Sequence, residues 1–260
     1  MNNNKNRTAW IIGTGPSLKG IDVSKLKNEH TVTFNRAYVA FNDWGFEPTY
    51  YLAIDSNDLR AMYKDVNNLI EKSSIKYFFL SPCHDNDKHT SEIHYQDKEI
   101  PKPGEMFINK NNVYFITKGS NTIQGCSVDH ENNLFHTAHH PNAGFLGVKL
   151  LYALGYSEVA FVGCDARYKD NEESNKYITK IVNEYASSEN YDVNHFRNDY
   201  FGKGMRFGKP NQEQIISLWR EGKKQIDLLD NFKVYSCTEN SNLNNFYDYI
   251  PFEEFLKGKR

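Results

Sequence analysis

Near its start the chain runs Ala9-Trp-Ile-Ile-Gly13-Thr14-Gly15-Pro16-Ser17, an apolar stretch that enters a glycine turn. A phosphate-bearing ligand needs backbone N–H groups that it can approach closely. Gly13 and Gly15 lack a Cβ, which permits that approach and the dihedrals of a tight turn. Pro16 stiffens the turn by fixing φ, and the Ser17 hydroxyl can cap the next helical turn. The spacing is not the dinucleotide fingerprint, because a third glycine is missing. It is not a Walker A loop either, because no Gly-Lys-Ser/Thr follows. A tight turn with no ligand would have the same spacing.

Asn35, Asp55 and Asp165 each close a short apolar run. An Asn amide can hydrogen-bond a base, a ribose or a phosphate. The two carboxylates can hold a divalent cation, accept ribose hydroxyls, or take a proton as a general base. Without a metal, a carboxylate beside a phosphate is repulsive, so one of them should then face a hydroxyl.

A third group lies in 194–211, where three glycines, two lysines and two arginines sit among aromatics. His195 can serve as acid or base near neutrality. Tyr200, Lys203 and Arg206 can offset charge on a leaving phosphate. A solvated connection would have a similar composition. In His139-His140-Pro141-Asn142-Ala143-Gly144, Asn142 suits the N-cap of a helix, whose start can receive an anion. Adjacent strand residues point to opposite faces, so the two histidines are not expected to share a metal. Cys83, Cys126, Cys164 and Cys237 form no Cys-x-x-Cys pair, which argues against structural zinc. No metal ligand is assigned.

These residues need a frame to bring them together. Strands are expected at 9–13, 31–35, 50–55, 76–80, 113–117, 158–163 and 232–237. Helices are expected at 57–72, 143–154, 211–229 and 252–257 by their apolar spacing. Such alternation predicts an α/β fold: a mostly parallel sheet flanked by helices, Rossmann-like, in one nucleotide-binding domain over 1–260. In a parallel sheet the strand ends share a rim, so Asn35, Asp55 and Asp165 should converge on the turn at Gly13–Ser17. Segment 167–205 breaks the rhythm with polar residues and reads as a small lid-like insertion, with a helix near 172–187. The polar stretch 83–112 reads as irregular.

A net charge of −2 leaves no nucleic-acid footprint. No apolar run is long enough for a membrane span, and the N-terminus lacks a signal-peptide core. A cytoplasmic protein with reduced thiols is the expectation; peripheral association with an inner membrane and a homo-oligomer stay open.

Two blocks carry a family likeness. The first is Gly13-Thr-Gly-Pro-Ser-Leu18 with Asp22, Leu26 and Thr33-Phe-Asn35. The second is Asn142-Ala-Gly-Phe-Leu-Gly-Val148, then Ala153-Leu-Gly-Tyr-Ser-Glu-Val159 and Gly163-Cys-Asp165. Together with Tyr200-Phe-Gly202 and the strand at 232–237, they resemble bacterial sialyltransferases of the Campylobacter lipooligosaccharide type. The same blocks resemble the wider domain of motility-associated factor glycosyltransferases and 6-hydroxymethylpterin diphosphokinase-like proteins. The strand ending in Asp55 is closer to that wider group.

The sialyltransferase likeness implies a transferase that moves a sialic acid-like sugar from a CMP-activated donor to a glycan acceptor, in surface polysaccharide or lipooligosaccharide synthesis. It implies inversion and no required cofactor. Gly13, Thr14, Gly15, Pro16, Ser17 and Asn35 would cradle the CMP phosphate and nucleoside. Asn142, Ala143 and Gly144 would contact the donor, with Asp165 on the same rim. Tyr168 and Tyr200 would steady the leaving phosphate. The chain departs from the family at Thr14, at Asp55 and at Asn142-Ala143. It also has Lys203 where the family has its catalytic His. The base would then be Lys203, His195 or Asp55, and lysine is a poor base near neutrality unless its pKa is strongly depressed. Two other readings stand beside this one. Asp55 and Asp165 with Mg²⁺ would suit pyrophosphate transfer from ATP. A non-catalytic nucleotide-binding module would suit the loss of the His.

Overall fold

The computed structural model describes residues 7–54, 56–81, 106–117, 119–138, 142–181 and 184–258. Asp55, Cys83, His139, His140, Pro141 and most of 83–112 lie outside the described residues.

The chain opens with β1 (Thr8–Ile12), β2 (Thr31–Phe34), a single helical turn α1 (Phe41–Trp44), β3 (Tyr50–Ala53), helix α2 (Ser56–Lys72) and β4 (Tyr77–Leu80). It continues through β5 (Val113–Thr117), β6 (Ser127–Asp129), β7 (Leu134–His136), helix α3 (Ala143–Ala153) and β8 (Glu158–Val162). Next come α4 (Glu172–Asn175), β9 (Ile178–Ile181), β10 (Glu184–Ser187), β11 (Arg206–Phe207) and helix α5 (Gln212–Ile226). Strand β12 (Lys233–Ser236), β13 (Asp248–Tyr249) and α6 (Phe252–Lys257) complete it.

Ten of these strands form one sheet in the order β13-β12-β8-β1-β2-β3-β4-β5-β7-β6. Among the described residues every pairing in it is parallel except β6 with β7 at the edge. This is the α/β sheet the alternation predicts. Strands buried on both faces read as unbroken apolar runs. In β1, Ala9 and Ile11 enter one core while Trp10 and Ile12 enter the other, because successive side chains point to opposite faces. Helix α3 is almost entirely buried and lies against β1, β2 and β3. Helix α5 packs beside it: a Cβ on Gly222 would overlap the buried Phe145 ring. Trp10 anchors the opposite face, edge-on to Phe252 and Phe255 of α6. No helix among the described residues is long and apolar enough to cross a membrane.

Chain order locates the functional edge. From β1 the chain builds outward through β2 to β7, then returns to place β8 on the other side of β1. The order therefore reverses between β1 and β8, and ligands of open parallel sheets bind outside the strand ends at such a reversal.

The insertion differs from its expectation. In place of a helix over 172–187, α4 is a single turn closed by a reciprocal Asn171–Ser174 capping box. Strands β9, β10 and β11 follow as a small antiparallel sheet. The reason lies in Tyr177-Ile-Thr-Lys-Ile181: aromatic and β-branched side chains suit a pleated surface better than a helix.

Candidate active site

The cleft at the β1/β8 reversal holds about 250 Å³. Gly13, Thr14 and Gly15 form one wall, Gly163 to Tyr168 the next, and Asn142 to Gly144 the start of α3. Phe34, Pro210, Ile215 and Trp219 add apolar surface, while Asn194 and His195 come from the insertion. A wider hollow of about 740 Å³ lies beside Lys76, Tyr77 and 109–112, where β4 and β5 begin. It is open to the side, lacks acidic and imidazole groups, and sits at the wrong end of the strands for a sheet of this type.

The two strand-end loops lock each other. The Ser17 hydroxyl donates to Oδ2 of Asp165 at 2.7 Å, and Gly15 N–H donates to the Gly163 carbonyl at 2.8 Å. A Cβ on Gly15 would overlap the Asp165 carboxylate, and one on Gly13 the Gly163 carbonyl. Gly163 has φ +65°, a conformation side chains resist. The glycines are thus required by packing between the β1 and β8 loops. Pro16 and Ser17 start a short 3-10 turn, Pro16–Gly20.

Helix α3 begins in the cleft. Asn142 caps it, its side chain accepting from Phe145 N–H at 3.0 Å. The N–H groups of Ala143 and Gly144 have no intrahelical acceptor, and the helix dipole favours an anion there. Arg167 adds a fixed cation on the rim. Its Nη2 donates to the Asn240 carbonyl at 2.6 Å, and its other nitrogens have no protein partner among the described residues. Cys164 also lines the cleft, but burial and the neighbouring Asp165 push its thiol far above the ordinary range, so it is no nucleophile. Burial, together with Asp192 and Asp170, likewise keeps the Tyr168 hydroxyl protonated.

The imidazole of His195 is held along two directions. Its Nδ1 lies 2.8 Å from Oδ2 of Asp192. Its ring stacks on Tyr200, with centroids 4.0 Å apart and planes 8° from parallel. The adjacent Phe196 N–H donates to the Thr14 carbonyl at 3.0 Å, which fastens this segment to the glycine turn. Arg36, just past β2, donates through Nε to the Tyr200 carbonyl at 2.6 Å.

Of the residues singled out in the sequence, the cleft gathers Gly13, Thr14, Gly15, Asn142, Ala143, Gly144, Asp165, Tyr168 and His195. Tyr200 is buried behind His195 and backs the imidazole. Asn35 is absent from the lining. It sits at φ +52°, its carbonyl accepts the Tyr51 hydroxyl at 2.6 Å, and its Oδ1 is buried without a partner among the described residues. Lys203 is exposed, with its amide tied to Asn190, and Arg206 is exposed on β11. Asp55 lies outside the described residues. Among those described, no three His, Cys, Asp or Glu side chains come together as a metal site. The sequence reading missed Asp192, Arg167 and Arg36. For Asp192 the signal was its i, i+3 spacing from His195; for the two arginines it was only their place beside a strand end.

No family model matches the chain, and no curated protein matches it in sequence. Solved structures do match in fold. A MAf glycosyltransferase from Magnetospirillum magneticum AMB-1 is similar with 13% identity and a TM-score of 0.51, over 100% of this chain. The chain spans 37% of that neighbour's length. The sialyltransferase CstII from Campylobacter jejuni, solved with a substrate analogue, cytidine-5′-monophosphate, is similar with 15% identity and a TM-score of 0.47. That match covers 95% of this chain and 86% of the other. The first likeness shows a shared fold.

Proposed function

We propose that the protein is a glycosyltransferase that moves an acidic, sialic acid-like sugar from a CMP-activated donor to a hydroxyl of a glycan acceptor. The observation that carries this reading is the placement of the His195 imidazole in the same cleft as the glycine turn and the start of α3. A base and an anion-binding helix end then face one small space at the β1/β8 reversal. The two sequence blocks that resemble bacterial sialyltransferases are the two that build this cleft, and a glycosyltransferase shares the fold.

In this reading the CMP phosphate lies against the Ala143 and Gly144 amides, with Arg167 offsetting the charge that grows on it as it leaves. His195 takes the proton of the acceptor hydroxyl as that oxygen attacks the anomeric carbon. The bond from that carbon to the phosphate oxygen breaks, its electron pair departs with CMP, and a single displacement inverts the centre. Tyr168, held protonated, donates to the leaving phosphate or the sugar carboxylate. Segment 167–205 supplies the base and closes one side of the site. Asp165 is engaged by Ser17 and serves to fix the two loops.

Calorimetry with CMP, UDP, ADP and ATP, each with and without Mg²⁺, tests the donor class, followed by turnover of a CMP-activated sialic acid with a galactose-terminated oligosaccharide. CMP binding indifferent to Mg²⁺, with transfer, is expected. Binding of ATP alone, dependent on Mg²⁺, would overturn the reading in favour of pyrophosphate transfer.

A further inference from the structure

We infer that Asp192 is a positioning residue that holds His195 in the Nδ1–H tautomer and turns Nε2 to the cleft as the site's proton acceptor. The inference rests on the proposed function for the reaction that uses the base, but the tautomer itself does not depend on it.

The geometry permits one assignment of protons. An ionised carboxylate only accepts, so at 2.8 Å from Asp192 the Nδ1 atom of His195 must carry a hydrogen. A neutral imidazole then has its lone pair on Nε2, and among the described residues no partner occupies that atom. His195 lines the cleft, with its side chain 17% exposed against 8% for Asp192. The carboxylate is itself fixed. Its Oδ1 accepts from Asn194 N–H at 2.9 Å and its Oδ2 from Phe201 N–H at 3.2 Å. No Lys or Arg side chain is bonded to it among the described residues, so its charge is met by backbone dipoles and the imidazole. The Tyr200 ring holds the imidazole face, and the edge of Phe201 closes another side. A 180° flip of the ring would keep the stack on Tyr200 but would exchange Nδ1 for a carbon at Asp192, so the carboxylate selects between the two ring orientations.

The residue is poised for proton transfer by this arrangement. When the acceptor O–H gives its proton to Nε2, the imidazolium is stabilised by the Asp192 charge, while the Nδ1 hydrogen stays where it was. The new C–O bond takes the oxygen's electrons, and the C–O bond to phosphate releases its pair to CMP. The cleft that His195 lines also holds Asp165, Arg167 and Tyr168 from the loop after β8.

The test begins with nitrogen chemical shifts of the full chain labelled with ¹⁵N-histidine. Wild-type His195, identified by its loss in His195→Gln, is expected to show a protonated Nδ1 and an unprotonated Nε2 near pH 8. A neutral ring protonated on Nε2 and bare on Nδ1 would overturn the inference without any further variant. Asp192→Asn can donate as well as accept, so the tautomer is expected to become mixed or reversed. Its kcat should fall by about 100-fold while the donor KM stays within about twofold, in line with partners that orient a reacting group. In a His195→Gln background, Asp192→Asn should cost nothing more. An unchanged tautomer in Asp192→Asn, or additive losses, would sink the positioning role. If wild type turns over no CMP-sugar, the proposed reaction fails, and the nitrogen shifts still decide the tautomer.

Discussion

The two sides of the cleft are built differently. The side at β1 and β8 is made by the sheet: two strands paired over their whole length present two loops that lock through Ser17, Asp165 and the Gly15–Gly163 bond. The side at 190–201 is made by short-range contacts: a carboxylate three residues from its histidine, and a tyrosine five residues beyond it. Only a few bonds tie it to the sheet, Phe196 to Thr14 and Arg36 to Tyr200 among them. In the proposed reaction the sheet side supplies a rigid shape, and the other side supplies the base. Substitutions on the first should therefore act on stability and binding together. Substitutions on the second should act on turnover with little effect on melting.

The largest expected effect is on the chemical side. His195→Ala removes the proposed base and should lower kcat by about 10²- to 10⁴-fold, with CMP binding by calorimetry nearly unchanged. Turnover at the wild-type rate would remove His195 from the reaction. Gly15→Ala should do the opposite. Its Cβ has no room beside the Asp165 carboxylate, so the two loops must part. Overpacking of this kind costs about 1–3 kcal/mol, a fall in melting temperature of about 2 to 12 °C for a domain of this size, and CMP affinity should drop with it. A variant that melts at the wild-type temperature would show that the loops give way, which would weaken the contrast between the two sides.

Much of the sheet side was legible from sequence, for a physical reason. A parallel strand buried on both faces is an uninterrupted apolar run, so β1, β2, β3, β4 and β8 stand out. Helix α3 announces itself by the Asn142 cap and an apolar core stretch. What the runs cannot show is why the glycines are there. Gly13 and Gly15 read equally well as a ligand cradle or a tight turn, and the structure adds a third demand, from the β8 loop. The insertion was less legible. Among the described residues its strands pair with one another alone, and their apolar pattern is interrupted by polar residues such as Thr179 and Lys180. Asn35 illustrates a different limit: it stands at a strand end as expected, but it has a positive φ and a buried Oδ1 and is absent from the cleft lining, and no apolar run encodes that.

Smaller effects sharpen the contrast within the sheet side. Ser17→Ala removes the hydroxyl that Asp165 accepts. A hydrogen bond to a charged group contributes about 1.5–3 kcal/mol, so a loss near the lower figure is expected for this partly exposed pair, seen as a shift in denaturation midpoint. Asn142→Ala should cost about 1 kcal/mol through the lost cap and should weaken CMP binding, because the frayed helix start no longer presents its amides. If stability falls while affinity holds, the start of α3 is not the phosphate site.

Lys203 gives the smallest expected effect and the sharpest discrimination between the family's arrangement and this one. By motif position it stands where the resembling sialyltransferases carry their catalytic histidine. In the structure its side chain is exposed, its amide is held by Asn190, and it lies off the cleft lining. An exposed ammonium with no buried partner contributes little to stability, within about 0.5 kcal/mol. Lys203→Ala should therefore leave melting temperature, donor KM and kcat close to wild type, and Lys203→His should not raise turnover. A large fall in kcat for Lys203→Ala would mean that the turn at 200–204 moves onto the cleft when substrate binds. The division of labour would then shift from His195 to that turn, and the short-range side of the site would be the mobile one.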